Sequence, residues 1–325
     1  MLAATLIIAG TVLAAAPASE KPADTPKAAK QASKGGGARQ KSPAPLKRDL
    51  TKSSKPLEYR YTGGRYHNQL FQYRLVAPSP LRSTERYPLL VWLHGFGRRG
   101  EDNKKQLAHL DLIFNSRADL RNRQFFILAT QCPGENPQWF GSSKAEAAKG
   151  GQSPDDMLTV TVEILRKTMR DYPVDEDRIY LAGPSAGGTA CWEMALRYPE
   201  LFAAVAPMSS GGGTVSRAAR LANVPVWAFH NRNDPAIPPR GVEEMIAAVK
   251  EAGGKAELTL FDAAEHNSWT AAFANGAMEW MLAQHRGTSG APPGYRPWRL
   301  WHVVTVPATL VIVVWLGWRF GRRKG

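Results

Sequence analysis

The chain has 325 residues, 43% of them hydrophobic and 22% charged, which supplies enough apolar material for a sizeable core and excludes disorder along its whole length. The net charge of +14 sits at the ends: residues 19–56 hold ten Lys/Arg against three Asp/Glu, residues 287–325 hold six Lys/Arg and no acid, and 57–286 is left at +1, so the folded body is not a basic nucleic-acid binder. Two cysteines exclude a disulfide-stapled mini-fold and a four-thiolate zinc site.

Residues 2–16 are apolar or small and lead into Ala16-Pro17-Ala18, an A-x-A pattern that reads as a secretory signal peptide covering 1–18, although no Lys or Arg precedes the apolar run. Residues 19–56, rich in Lys, Ala, Pro, Ser and Gly, bury too little to offset ordering entropy and read as a basic, disordered linker. The body, 57–286, opens with two strands at 57–62 and 69–76, turned by Gly63-Gly64. Apolar runs at 87–93 and 124–130 read as buried strands. A helix is expected over 154–170, capped by Ser153 with Pro154 in its first turn, and it stops before Pro173. A strand at 178–182 feeds a helix from about 185 to 197, followed by strands at 203–208 and 224–229. A helix at 242–251 closed by Gly253-Gly254, a strand at 256–261 and a helix over 269–284 complete the body. Strands alternating with helices imply a mostly parallel sheet covered on both faces, with chemistry in the loops beyond the strands' carboxyl ends. No stretch is long enough for a separate cap domain.

Residues 287–300 form a Gly/Pro-rich stalk. Residues 301–318 carry no Asp, Glu, Lys or Arg and, as a helix, reach roughly 27 Å, the thickness of a bilayer's hydrocarbon core. Trp298 and Trp301 flank one end and Trp315 and Trp318 the other, as interfacial belts do. Arg319, Arg322, Arg323 and Lys324 of the tail 319–325 outnumber Arg296 and Arg299, so a single-pass anchor with a cytoplasmic C-terminus and an extracytoplasmic body is expected.

Within the body, Gly183-Pro184-Ser185-Ala186-Gly187 lies between an expected strand and an expected helix, the context of a G-x-S-x-G nucleophile elbow. The strained turn demands small neighbours, supplied by Gly183 and Gly187, and lifts Ser185 to the sheet's edge. The Ala186 amide is one candidate oxyanion donor. The Phe96 amide, in the His94-Gly95-Phe96-Gly97 strand exit, is the other. An acid and a base should follow in the order Ser, Asp, His, and Asp234 and His266 occupy strand exits on the same edge. Asp262 rivals Asp234 but lies only four residues before His266; His94 and His230 are weaker candidates for the base. Trp139 and Trp269 are candidate pocket walls. Cys132 and Cys191 are expected as buried free thiols.

Leu93-His94-Gly95-Phe96-Gly97-Arg98-Arg99-Gly100, Gln131-Cys132-Pro133, the elbow, Phe229-His230 with Asn233-Asp234-Pro235, and His266-Asn267-Ser268-Trp269 occur in this order. Together they resemble the phospholipase/carboxylesterase branch of the α/β-hydrolases, near bacterial esterases labelled predicted peptidases or dienelactone-hydrolase-like, over roughly residues 70–285. The resemblance implies a serine esterase with Ser185 as nucleophile, His266 as base and Asp234 as acid, acting on small-molecule or polymer-linked esters without metal or organic cofactor. Pro184, Ala186 and Arg98 depart from the usual residues at their positions, and Ser185 in place of cysteine counts against dienelactone hydrolase activity. Two alternatives stand beside it: a peptidase of the prolyl-oligopeptidase type, for which the sequence shows no propeller, and an inert membrane-tethered binding protein on the same fold. Oligomeric state is left open.

Overall fold

A computed structural model describes residues 49–63, 66–116, 124–134, 139–140 and 156–286. Eight strands make one sheet: β1 (Ser54–Gly63), β2 (Tyr66–Val76), β3 (Tyr87–Trp92), β4 (Phe126–Thr130), β5 (Val174–Pro184), β6 (Ala204–Met208), β7 (Val226–Asn231) and β8 (Ala256–Phe261), in the order β1-β2-β4-β3-β5-β6-β7-β8. The β1–β2 and β2–β4 pairs are antiparallel, and every pairing from β4 onward to β8 is parallel. β3, β4 and β6 are buried at every position, because helices cover both faces and both must be apolar. β1, at the edge, alternates between exposed and half-buried residues instead.

The described helices are α1 (Leu50–Ser53), α2 (Asp111–Ser116), α3 (Met157–Asp171), α4 (Ala186–Arg197), α5 (Arg240–Glu251), α6 (Trp269–Ala274) and α7 (Ala277–Leu282). The two faces of β3 show how they are shared. Leu89 and Val91 join a core with Ile164, Trp192 and Val249 of α3, α4 and α5, while Leu90 and Trp92 join Ile113, Phe273 and Met278 of α2, α6 and α7.

Several boundaries differ from expectation. The folded body begins earlier than residue 57: Asp49 caps α1, its carboxylate accepting from the Thr51 and Lys52 amides, and residues 54–56 pair with β2. Asp156, not Ser153, caps α3, accepting from the Thr159 amide at 3.0 Å. The expected helix over 269–284 is two, because Gly276 at φ +91° interrupts it. Among the described residues no helix is long and apolar enough to cross a membrane. Residues 1–48, with the expected signal and most of the linker, and 287–325, with the stalk, apolar span and tail, lie outside the described residues.

The face covered by α3, α4 and α5 also holds a buried charge network. The Asp156 carboxylate that caps α3 pairs with Arg197 at the end of α4; Arg197 Nε donates to Glu193 at 2.7 Å, and Glu193 accepts from Arg217 at 3.0 Å. The Arg197, Asp156 and Glu193 side chains are all at most 7% exposed. Removing one member of such a set leaves uncompensated buried charge. Arg197→Met should therefore lower the unfolding free energy by about 3–5 kcal/mol in urea denaturation; a loss under about 1 kcal/mol would show that Asp156 and Glu193 find other partners.

Candidate active site

The β5–α4 junction is a tight elbow. Ser185 has φ +55° and ψ −122°, a conformation L residues rarely hold unless the surroundings impose it. The surroundings do so: the Ser185 amide donates to the Met208 carbonyl at 2.8 Å, and the main chain leaving β3 crosses directly over the turn. A Cβ at Gly183 would lie 2.3 Å from the Leu93 carbonyl oxygen, and one at Gly187 only 1.9 Å from it, so neither position can carry a side chain.

The side chains expected to act together meet at this elbow. Ser185 Oγ lies 2.8 Å from His266 Nε2, and His266 Nδ1 lies 2.7 Å from Asp234 Oδ2. With Nδ1–H donating to the carboxylate, Nε2 is left as the acceptor for the Ser185 hydroxyl. Asp234 Oδ1 accepts from the Ala236 and Ile237 amides at 2.8 and 3.0 Å. Burial alone would raise the Asp234 pKa, but those amides and His266 outweigh it and hold the carboxyl below the usual range. Asp262, the rival acid, is instead a surface partner of Arg232 at 2.9 Å, its side chain 87% exposed.

Two buried serines, Ser268 of the His266-Asn267-Ser268-Trp269 motif and Ser209, which no sequence pattern singled out, hold the loop that carries the imidazole. Ser268 Oγ donates to the Phe229 carbonyl at 3.0 Å, and the Ser268 amide donates to Ser209 Oγ at 3.0 Å, tying the His266 loop to the exits of β7 and β6. Asn231 Nδ2 adds a bond to the Glu265 carbonyl at 2.7 Å. Trp269 packs edge-on against the His266 ring, centroids 5.9 Å apart.

Facing Ser185, Ala186 is the first residue of α4, and Phe96 is the first residue of a 3₁₀ turn, Phe96–Arg98, capped by Gly95. Amides at first helical positions have no intrahelical acceptor and so are available to an incoming anion. A Cβ at Gly95 would stand 3.7 Å from Ser185 Cβ, which measures how closely this loop overhangs the serine. Beside the two amides is a cavity of about 230 Å³ walled by Phe96, Cys132, Trp139, Phe140 and Ala186. Trp139 is thus a wall as expected. Trp269 is not among the cavity's lining residues; its indole is turned to His266 and His109.

His94 is not a competing base. Its buried ring spans the loop: Nε2 accepts from the Cys132 amide at 3.0 Å and Nδ1 donates to the Gly95 carbonyl at 2.8 Å, while its own carbonyl accepts from Trp139 Nε1 at 2.9 Å. Burial, reinforced by the nearby Arg99 and Arg98 charges and only partly opposed by the Gly95 carbonyl, pushes its pKa down to about 4. Cys132 and Cys191 are free and buried, and burial pushes both thiols well above their usual range. Among the described residues no group of His, Cys, Asp and Glu is arranged to hold a metal ion.

The family described as esterase PHB depolymerase matches residues 71–238, more than half of the chain. The chain belongs to the PHB depolymerase esterase family. Its place among the α/β-hydrolase esterases agrees with the resemblance read from the motifs. The matched stretch contains Phe96, Ser185 and Asp234 and ends before His266. A thermostable esterase of known structure aligns at 29% identity with a TM-score of 0.64, over 73% of this chain and 64% of its own, so this chain spans less than two thirds of that protein's length. A ferulic acid esterase (19% identity, TM-score 0.54, 71% of this chain and 98% of that one) shares the fold. So does the acylaminoacyl peptidase of Pyrococcus horikoshii (14%, TM-score 0.53, 75% and 43%). No curated protein matches the chain.

The His94 ring gives a pH dependence with a definite sign. Between its unfolded pKa, near 6.5, and about 4, the unfolded chain binds a proton that the folded chain refuses. Stability therefore falls as pH is lowered through that window, by about 3 kcal/mol from this group, and the loss is complete below 4. Denaturation series from pH 7 to 4 should show a shallower decline for His94→Gln than for the unaltered protein; parallel declines would reject the buried neutral ring.

Proposed function

We propose that the protein is a serine carboxylesterase working through an acyl-enzyme, and the observation that carries this reading is the continuous Ser185–His266–Asp234 hydrogen-bond chain at the elbow. Ser185 Oγ attacks the ester carbonyl while His266 Nε2 takes its proton. Asp234 keeps the proton on Nδ1 and stabilises the imidazolium that forms. The Phe96 and Ala186 amides receive the oxyanion, each worth on the order of 10²–10³ in kcat. His266 then hands its proton to the departing alcohol, and water, activated by the same base, releases the acid. Every group this cycle needs belongs to the chain itself. The substrate is a carboxylic ester, free or linked to a polymer.

We propose further that the hydrolase is exported and held at the membrane. The apolar stretch 2–16 with Ala16-Pro17-Ala18 would direct export, and 301–318, with its tryptophan belts and the basic residues after it, would anchor the chain with its C-terminus in the cytoplasm.

Ser185→Ala should abolish turnover of 4-nitrophenyl butyrate and labelling by a fluorophosphonate probe while leaving the thermal melt nearly unchanged; retained turnover would reject the assignment. Deleting 301–325 should move the protein from the membrane pellet to the soluble fraction. Persistence in the pellet would mean that something other than this segment holds it there.

A further inference from the structure

The cavity beside Ser185 has a definite side. It is bounded by Phe96 and by Ala186, the residue next to Ser185 in the chain, and its lining includes neither Ser185 itself nor His266 and Trp269, so it opens on the side of the two amides. If Ser185 and His266 act as proposed above, the alcohol must leave from over the imidazole that protonates it, so the cavity on the other side receives the acyl group. At about 230 Å³ it holds a short one.

Most of its wall is neutral at physiological pH. Trp139 and Phe140 are aromatic, burial keeps Cys132 as a thiol, and burial keeps the His94 ring uncharged. Arg99 differs. It lines the same cavity and carries a fixed positive charge. Its guanidinium is held in one place, with Nε donating to the Phe96 carbonyl at 2.9 Å and its central carbon 3.5 Å above the Phe96 ring. Those contacts occupy one edge and one face of the fork. Among the described residues no carboxylate pairs with it, unlike Arg178, Arg197 and Arg217; buried Arg74, also without a carboxylate partner there, instead spends its nitrogens on the Asn103, Thr51 and Ser54 carbonyls. Among the described residues the terminal nitrogens have no hydrogen-bond acceptor, the residue borders a small, mostly apolar space, and the planar pair of N–H groups is shaped to take the two oxygens of a carboxylate. A cation fixed beforehand in such a place favours a ligand that brings the opposite charge, because no side chain has to be ordered on binding.

We propose that Arg99 is a specificity determinant that selects esters whose acyl group ends in a carboxylate, such as half-esters of short dicarboxylic acids. This rests on the serine-esterase reading and adds the substrate class to it.

The test compares 4-nitrophenyl hydrogen glutarate with 4-nitrophenyl methyl glutarate, which share leaving group and chain and differ in one charge. The unaltered protein should show a kcat/KM ratio of at least about tenfold in favour of the charged ester, and added NaCl should reduce that ratio. Arg99→Gln should bring the ratio to one or below, and Arg99→Lys should restore part of it. A ratio of one or less in the unaltered protein would overturn the proposal. So would an unchanged ratio in Arg99→Gln, which would leave Arg99 as a prop for Phe96. Should Arg99→Gln fail to give a cooperative thermal melt, the ratio in the unaltered protein and its salt dependence decide the matter. Loss of the serine-esterase reading would be seen elsewhere, as turnover of either ester surviving Ser185→Ala.

Discussion

The Leu93 carbonyl at the end of β3 comes so close to the β5–α4 turn that a side-chain atom at Gly183 or Gly187 would overlap it. That single backbone crossing sets the geometry of Ser185 and of the amides around it. It forces the chain through a left-handed residue at Ser185 and starts α4 at Ala186. It also brings the Gly95–Phe96 exit over the serine, so Ser185 and the amides of Phe96 and Ala186 stem from one contact between two neighbouring parallel strands. β3 and the second half of β5 are buried on both faces, which makes the contact rigid.

Around this crossing the polar groups are arranged so that little needs to move during a reaction. Asp234 is held by two amides and by the imidazole; the imidazole loop is held by Ser268, Ser209 and Asn231. The loop that carries Phe96 is braced from the other side by His94, which serves because burial keeps it uncharged. On the catalytic reading proposed above, donors fixed beforehand in this way are the largest electrostatic resource the site has.

Much of this is legible in the residues. The central strands stand out because strands covered on both faces must be apolar throughout, and 87–93 and 203–208 are. The elbow stands out because glycines on both sides of a serine, Gly183 and Gly187, answer a steric demand between a strand and a helix. Asp234 and His266 are legible by position, each just beyond a strand at one edge. The features that escape a sequence reading do so for physical reasons. Ser153 and Asp156 are both competent caps three residues apart, and only tertiary pairing with Arg197 selects the second. A lone Gly276 inside an apolar stretch is compatible with a continuous helix until its φ is known. Trp269 sits close to His266 in sequence, yet its indole packs on the ring and not in the cavity. Arg99 belongs to an aperiodic loop, where nothing in the pattern says which of two adjacent arginines borders the cavity.

The tie between Ser209, Ser268 and the Phe229 carbonyl also bears on how the site is assembled from the chain. Ser185 and Asp234 lie far upstream of His266, whose loop follows β8, among the described residues the last strand and one bordered only by β7. The hydrogen-bond line from serine to carboxylate therefore runs through the latest of its three parts along the polypeptide. Two small hydroxyls latch that part to the sheet.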